Sequence, residues 1–256
     1  MKRLEIEDIE LKNKIMLLVR EQKIYSSYEK LSYRLSQLFK NIPIKEKRIL
    51  EIGAGSGIAS CFLGALGASK VIGLEPEGDG SSRGMAKIFQ RIIKDLNLKN
   101  VYYSPLKFQE FKAQDRSFDI ILLNDSINHL DEKACRYLHI KENSCLIYLD
   151  LFRKMNLILD YGGYLVISDC ARSNIFNIPA KLHLFKNPVA PTINWDIHQN
   201  PKIWIRLLKK AQFNKFEVDY YIPYKLRQFS SLLNNFIWAY FTTSMFIVRC
   251  RKDIYE

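Results

Sequence analysis

Long apolar runs, paired cysteines and repeats are what this chain of 256 residues lacks. Its first residues, MKRLEIEDIELKNK, carry charge from the start, so the uninterrupted apolar stretch of a secretory signal is missing. The longest apolar-leaning region, 229–248, is broken by Asn234, Asn235, Thr242, Thr243 and Ser244. A membrane span needs about 20 predominantly apolar residues, so the region reads as core or cleft and no transmembrane segment is expected. The five cysteines (Cys61, Cys135, Cys145, Cys170 and Cys250) are odd in number, irregularly spaced and nowhere Cys-x-x-Cys. That argues against a zinc site or a disulfide framework and predicts a reducing, cytoplasmic setting. No cluster of metal ligands stands out, and no repeat or low-complexity tract occurs.

What is present suits a folded domain. The chain is 48% hydrophobic and 26% charged, unlike a disordered segment. Its length fits one α/β domain with appendages, or two small domains. The net charge of +12 could attract RNA, DNA, an anionic membrane or an acidic metabolite. Yet the basic residues are dispersed, and the densest cluster (Lys45, Lys47, Arg48) is short. A basic solvated surface is the competing reading.

Two patterns divide the chain. Up to residue 46, apolar positions such as Leu4, Ile9, Leu11, Ile15 and Leu18, then Leu31, Leu35, Leu38 and Phe39, recur at helical spacing, with no Gly or Pro before Pro43. This predicts a helical cap. From Lys47 onward strands and helices alternate. Strands are expected at Arg48–Ile52, Lys70–Leu74, Val101–Tyr103, Phe118–Leu123 and Tyr164–Ser168, the last after an Asp160-Tyr-Gly-Gly163 turn. Helices are expected at Ile58–Leu66, Met85–Leu96 and Cys145–Leu159. Such alternation implies a parallel sheet with helices on both faces and any ligand at the strand C-terminal edge. Beyond it come a loop-rich stretch at 171–200, a helix at Ile203–Ala211, and strands at Lys215–Ile222 and Ser244–Cys250.

The strongest local signal is Leu50-Glu-Ile-Gly-Ala-Gly-Ser-Gly57. Glycines at a strand end allow a sharp turn into the next helix and let the backbone approach a ligand. The spacing departs from the dinucleotide fingerprint G-x-G-x-x-G, because Ile58 stands where its third glycine would be. Without a ligand the same loop would be only a tight strand-to-helix turn.

Glu-x-Gly-x-Gly-x-Gly at a first strand resembles motif I of the class I S-adenosylmethionine-dependent methyltransferases. The resemblance covers roughly residues 47–170. It implies a doubly wound, mostly parallel seven-stranded α/β sheet with an antiparallel last strand. The helical cap would occupy 1–46 and the methyltransferase domain 47–256, with a substrate-side insertion at about 171–200. It also implies S-adenosyl-L-methionine as cofactor, with Gly53, Ala54, Gly55 and Gly57 packed under its methionine and ribose parts. Glu51 would order the amino-acid end. Glu75, at the end of the second strand in Gly73-Leu-Glu-Pro76 and 20 residues after Gly55, would accept hydrogen bonds from the ribose hydroxyls. After the third strand Lys107 replaces the acid expected near the adenine, leaving Phe108 as its packing partner. The glycine-rich stretch 77–84 is longer than the family's usual turn.

Ser117-Phe-Asp119 with Asn124-Asp125-Ser126 resembles the fourth-strand motif of the same family, whose polar end faces the transferred methyl group. A hydroxyl or amine acceptor benefits from a base. His129 leads the candidates, then Asp125; an Asp–His pair four apart could equally cap a helix. His198 is a separate catalytic candidate, with a surface-loop histidine as its bland alternative. His139 and His183, among apolar neighbours, read as packed.

Asn124-Asp125-Ser126-Ile127 is not Asn/Asp-Pro-Pro-aromatic, which argues against base N-methylation. No Pro-Cys follows that strand, and no paired-glutamate loop of protein arginine methylation occurs. A small-molecule or lipid- or sugar-linked acceptor remains favoured. Phe229, Phe236, Trp238, Tyr240 and Phe241 would help enclose it, or belong to the core. The alternatives are an RNA methyltransferase using the basic surface, and a catalytically silent binding subunit. Oligomeric state is not written in the sequence.

Overall fold

Short runs of β-branched and aliphatic residues pair into one sheet, and their period-two alternation decides which helices cover each face. The strands are β1 (Arg48–Ile52), β2 (Lys70–Leu74), β3 (Val101–Ser104), β4 (Phe118–Asn124), β5 (Leu159–Cys170), β6 (Phe213–Tyr220) and β7 (Met245–Lys252). They lie in the order β3-β2-β1-β4-β5-β7-β6. Neighbours from β3 to β5 are parallel, whereas β7 runs antiparallel to both β5 and β6. This is the doubly wound sheet with an antiparallel last strand that the sequence predicts. The computed structural model describes residues 3–22, 25–78, 83–177 and 193–252.

Seven helices position the sheet: α1 (Ile9–Gln22), α2 (Tyr28–Leu38), α3 (Ile58–Ala65), α4 (Met85–Asp95), α5 (Glu132–Tyr137), α6 (Glu142–Ile158) and α7 (Pro201–Lys210). One core joins Ile49, Val71, Ile120, Leu122 and Val166 to Ile15, Leu31, Leu35, Phe62 and Phe89 of the first four helices. The other joins Leu50, Ile121, Leu123, Leu165 and Ile167 to Phe152 on α6 and Trp204 and Leu208 on α7. Each fully buried Leu or Phe of this kind contributes about 1.5–3 kcal/mol. The N-terminal helices therefore share a core with the sheet. Ser27 starts α2 by accepting a hydrogen bond from the Lys30 amide, which satisfies one free donor of the first turn.

Three local expectations are corrected. Gly162 and Gly163 do not end a turn ahead of β5; they lie inside it, where pairing jumps from Phe118↔Leu159 to Ile120↔Tyr164. The glycines absorb a bulge, since a Cβ on Gly163 would stand 2.8 Å from the Asp119 and Asp160 carbonyl oxygens. Helix α6 starts at Glu142, ahead of the expected Cys145, and a 3-10 turn (Ile127–Leu130) and α5 fill the preceding span. Asp131 caps α5 by accepting from the Ala134 amide. The aromatic stretch near the C-terminus is not core: Phe229, Phe236 and Phe241 are 48%, 48% and 56% exposed. Phe236, Tyr240 and Phe241 stack on one another in a short helix (Phe236–Phe241) outside both cores. Half of the expected insertion, 178–192 with His183, lies outside the described residues. No helix among those described is long and apolar enough to cross a membrane.

Candidate active site

Strand order reverses between β1 and β4, and the crevice at their C-terminal ends is where an open parallel sheet receives a ligand. The glycine loop leaves β1 here. Gly53 and Gly57 have φ of +75° and +72°, and neither tolerates a side chain. A Cβ on Gly53 would stand 2.5 Å from Cβ of Ser126, and one on Gly57 1.9 Å from the Phe89 ring. Gly55 differs: a Cβ there meets nothing within 4 Å, so its backbone borders open space.

That space is a cleft of about 390 Å³, within the usual range for small-molecule sites. Its wall brings together Glu51, Gly53, Ala54, Gly55, Glu75, Pro76, Phe108, Asn124, Asp125 and His129. Of the expected residues Gly57 is off the wall, as the N-cap of α3, and so is His198. Lys107 and Gly78 also line the cleft.

The two glutamates differ in surroundings. Glu75 is 3% exposed, and its carboxylate accepts from the Gly55 amide at 2.7 Å and the Glu77 amide at 2.8 Å. Each oxygen keeps a further lone pair for a ligand hydroxyl. Glu51 accepts from the hydroxyl and the backbone amide of Ser60. Burial pushes its pKa up to about 7, the Ser60 hydrogen bonds oppose this, and the Glu75 charge adds to it. Among the described residues no Lys or Arg forms an ion pair with Glu51. Phe108 is a buried part of the cleft wall, and the Lys154 ammonium lies 4.8 Å from its ring centroid.

Beyond β4 the chain turns at Asp125, whose φ is +58°. Asp125 and His129 are not helix-capping partners. The Asp125 carboxylate accepts from Ser168 at 2.9 Å and lies 3.3 Å from Nη2 of Arg34, which also reaches Asn124 and Ser168. Arg34 is 4% exposed and stacks over Tyr221 at 4.9 Å. Nδ1 of His129 sits 2.7 Å from Glu132, so Nε2 is the nitrogen left to take a proton, with the Asn128 amide 3.3 Å away.

His198 is no surface-loop residue. It is 7% exposed, with Nδ1 2.9 Å from the carboxylate of Asp169, itself 1% exposed. The chain folds back over the end of β5 and buries both. His139, by contrast, is exposed rather than packed, its ring 3.1 Å from the Arg172 guanidinium.

Sequence reasoning missed Arg34, Tyr25, Ser168 and Asp169. Arg34 had a faint signal, as a charge on the apolar stripe Leu31, Leu35 and Leu38 of α2. Tyr25 precedes α2 and lines the cleft; burial raises its hydroxyl to about 12, Arg34 opposes this, and Asp125 and Glu51 add to it.

Comparison with known proteins decides what this crevice belongs to. The methyltransferase domain family matches residues 24–220. The chain is a member of that family.

A mitochondrial ubiquinone biosynthesis O-methyltransferase of Dictyostelium discoideum is 24% identical over 169 residues, covering 63% of this chain and 48% of that protein. The chain thus spans about half the length of this curated relative. An S-adenosylmethionine-dependent methyltransferase of Mesorhizobium loti shares the fold at a TM-score of 0.56 and 16% identity, covering 84% of this chain and 96% of its own. A phosphoethanolamine N-methyltransferase 2 of Haemonchus contortus, solved with S-adenosylhomocysteine, matches at a TM-score of 0.59 and 16% identity, over 89% and 53% of the two chains. The cleft suits S-adenosylmethionine as its cofactor. The open backbone at Gly55, the spare lone pairs of Glu75 and the cation-free Glu51 match a ligand with a ribose and an amino group.

Proposed function

We propose that the enzyme transfers a methyl group to a hydroxyl of a small-molecule, lipid- or sugar-linked acceptor, with amine and carbon acceptors as the alternatives. The presence of His129, Asn124 and Asp125 on the same cleft wall as the two glutamates carries this reading. Gly53, Ala54 and Gly55 shape the floor under the methionine and ribose, Gly57 holds the turn into α3, and Pro76 fixes the turn behind Glu75. Glu51 takes the amino group, Glu75 the ribose hydroxyls and Phe108 the adenine face. When bound, the sulfonium supplies an activated methyl group, so alignment contributes much of the rate. Asn124 and Asp125 border the transfer edge, and Arg34 holds Asp125 in place. His129, oriented by Glu132, removes the acceptor proton at Nε2. Asp125 is the second base candidate; His198, oriented by Asp169, is the third.

The relative that methylates in ubiquinone biosynthesis supports a hydroxyl acceptor. Among the described residues Lys107 is the only cation on the cleft wall, which favours a small acceptor over RNA. Five free cysteines suit a reducing, cytoplasmic setting. Residues 1–46 act as a cap, through Tyr25 and Arg34.

The test is production of S-adenosylhomocysteine from S-adenosylmethionine across phenols, alcohols and amines, with His129→Ala and His198→Ala beside wild type. Turnover with phenols or alcohols, lost in His129→Ala, supports the assignment. Turnover with amines alone contradicts it.

A further inference from the structure

A second cleft of about 400 Å³ opens at the opposite end of the sheet. It lies beside the start of β4 and β5, about 20 Å along the strands from the cofactor edge at 3.3 Å per residue. Its wall gathers Arg116, Arg153, Lys210 and Lys252 around Tyr161, against one acid, Asp115. Arg153 has a carboxylate partner in Asp150 at 3.2 Å. The other three cations have none within ion-pair distance among the described residues.

The geometry concentrates this charge. The Arg116 guanidinium lies 3.9 Å from the centroid of the Tyr161 ring, and the Lys252 ammonium 4.9 Å from the same centroid. Arg116 also donates to the Tyr161 hydroxyl and adopts a left-handed backbone, φ +56°, unusual for a residue with a side chain. Lys252 is 8% exposed and spends two of its three ammonium hydrogens on the Asn156 and Leu159 carbonyls, each at 2.8 Å. The third has no partner among the described residues. Burial lowers the Lys252 pKa, and the neighbouring Arg116 charge lowers it further. Asp160, the acid beside them, is engaged by Arg48 at 2.8 Å.

Like charges gathered on one ring, one of them buried with a spare donor, form a receptor for a compact anion. We propose that the Arg116, Lys210 and Lys252 cleft binds a phosphate group, free or carried on a small phosphomonoester, independently of the methyl-transfer site. An Arg fork and ammonium donors are the groups that hold phosphate oxygens. The cavity is sized for a small molecule rather than an extended chain.

The probes are orthophosphate, adenosine monophosphate and a 20-nucleotide RNA, titrated calorimetrically at fixed ionic strength into wild type and the double variant Arg116→Gln, Lys210→Gln. Both substitutions are at exposed positions, and S-adenosylhomocysteine affinity is measured on the same samples. The expected result is saturable orthophosphate binding, weakened about tenfold or more in the variant, with S-adenosylhomocysteine affinity unchanged. Equal affinity for the two small probes assigns the site to phosphate itself, and tighter adenosine monophosphate binding to a phosphomonoester. Absence of saturable binding by either small probe, RNA binding alone, or binding that survives in the variant overturns the proposal.

Discussion

Arg34 on α2 and Asp125 after β4 are 91 residues apart in sequence, yet their charged groups meet at 3.3 Å. The arginine is almost wholly buried, while the Asp125 side chain is 46% exposed. The pair ties α2 to the C-terminal end of β4 and holds Asp125 on the cleft wall. Arg34→Met leaves Asn124, Asp125 and Ser168 without their shared donor. The expected loss is about 2 kcal/mol, below the 3–5 kcal/mol of a fully buried pair because Asp125 reaches water. Urea denaturation measures it, and an unchanged midpoint would show that the contact adds nothing net.

Glu51 gives the enzyme a pH dependence whose sign is fixed. Its folded pKa of about 7 lies above its ordinary value of 4.5, so the fold favours the protonated carboxyl. Its contribution to stability is fullest below about pH 4.5, declines as pH rises to about 7 and is level above that. The span amounts to about 3 kcal/mol at 1.36 kcal/mol per pH unit. A cofactor amino group selects the ionised form, so S-adenosylhomocysteine affinity should rise about tenfold between pH 6 and pH 8. Glu51→Gln should flatten both profiles. A slope that persists in that variant assigns the titration to another group.

The site's legibility follows sequence distance. The glycine loop and Glu75 could be read because β1, the turn and β2 are consecutive and their spacing is set by backbone geometry. The strand positions followed from apolar runs separated by helical segments, and the antiparallel last strand from the resemblance to class I methyltransferases. Arg34 could not be placed, since only the packing of α2 brings it to β4. His198 read as a surface residue because its burial depends on Asp169, 29 residues earlier and facing inward from β5. The aromatic residues from Phe229 to Phe241 misled in the other direction. Their composition suggests burial, but they pack on each other at the surface.

Gly57→Ala tests the loop's steric design. A Cβ would fall 1.9 Å from the Phe89 ring, and φ is +72°. Phe89 is fully buried against the same core and cannot retreat without displacing α4. A loss of roughly 3 kcal/mol or more is expected, from overpacking together with backbone strain. Gly55→Ala should fold more readily, with open space at its Cβ, and should instead weaken the cofactor. Thermal denaturation and cofactor titration of both variants separate the two effects; equal stability losses would contradict the distinction.

His129→Ala should lower turnover by about 10²–10⁴-fold while leaving S-adenosylhomocysteine affinity within about threefold, as expected for a base that acts on the acceptor. Single-turnover kinetics with the preferred acceptor give the rate, and calorimetry the affinity. A drop in affinity equal to the drop in rate would make His129 a cofactor contact instead.

The most direct test of the central claim is calorimetric titration with S-adenosylmethionine, S-adenosylhomocysteine and NAD, comparing wild type with Glu75→Ala. The account predicts micromolar binding of the first two and none of NAD. In the variant, which lacks the carboxylate proposed to receive the ribose hydroxyls, both should weaken on the order of 100-fold. Binding of NAD in their place, or affinity for S-adenosylhomocysteine untouched by loss of Glu75, would contradict it.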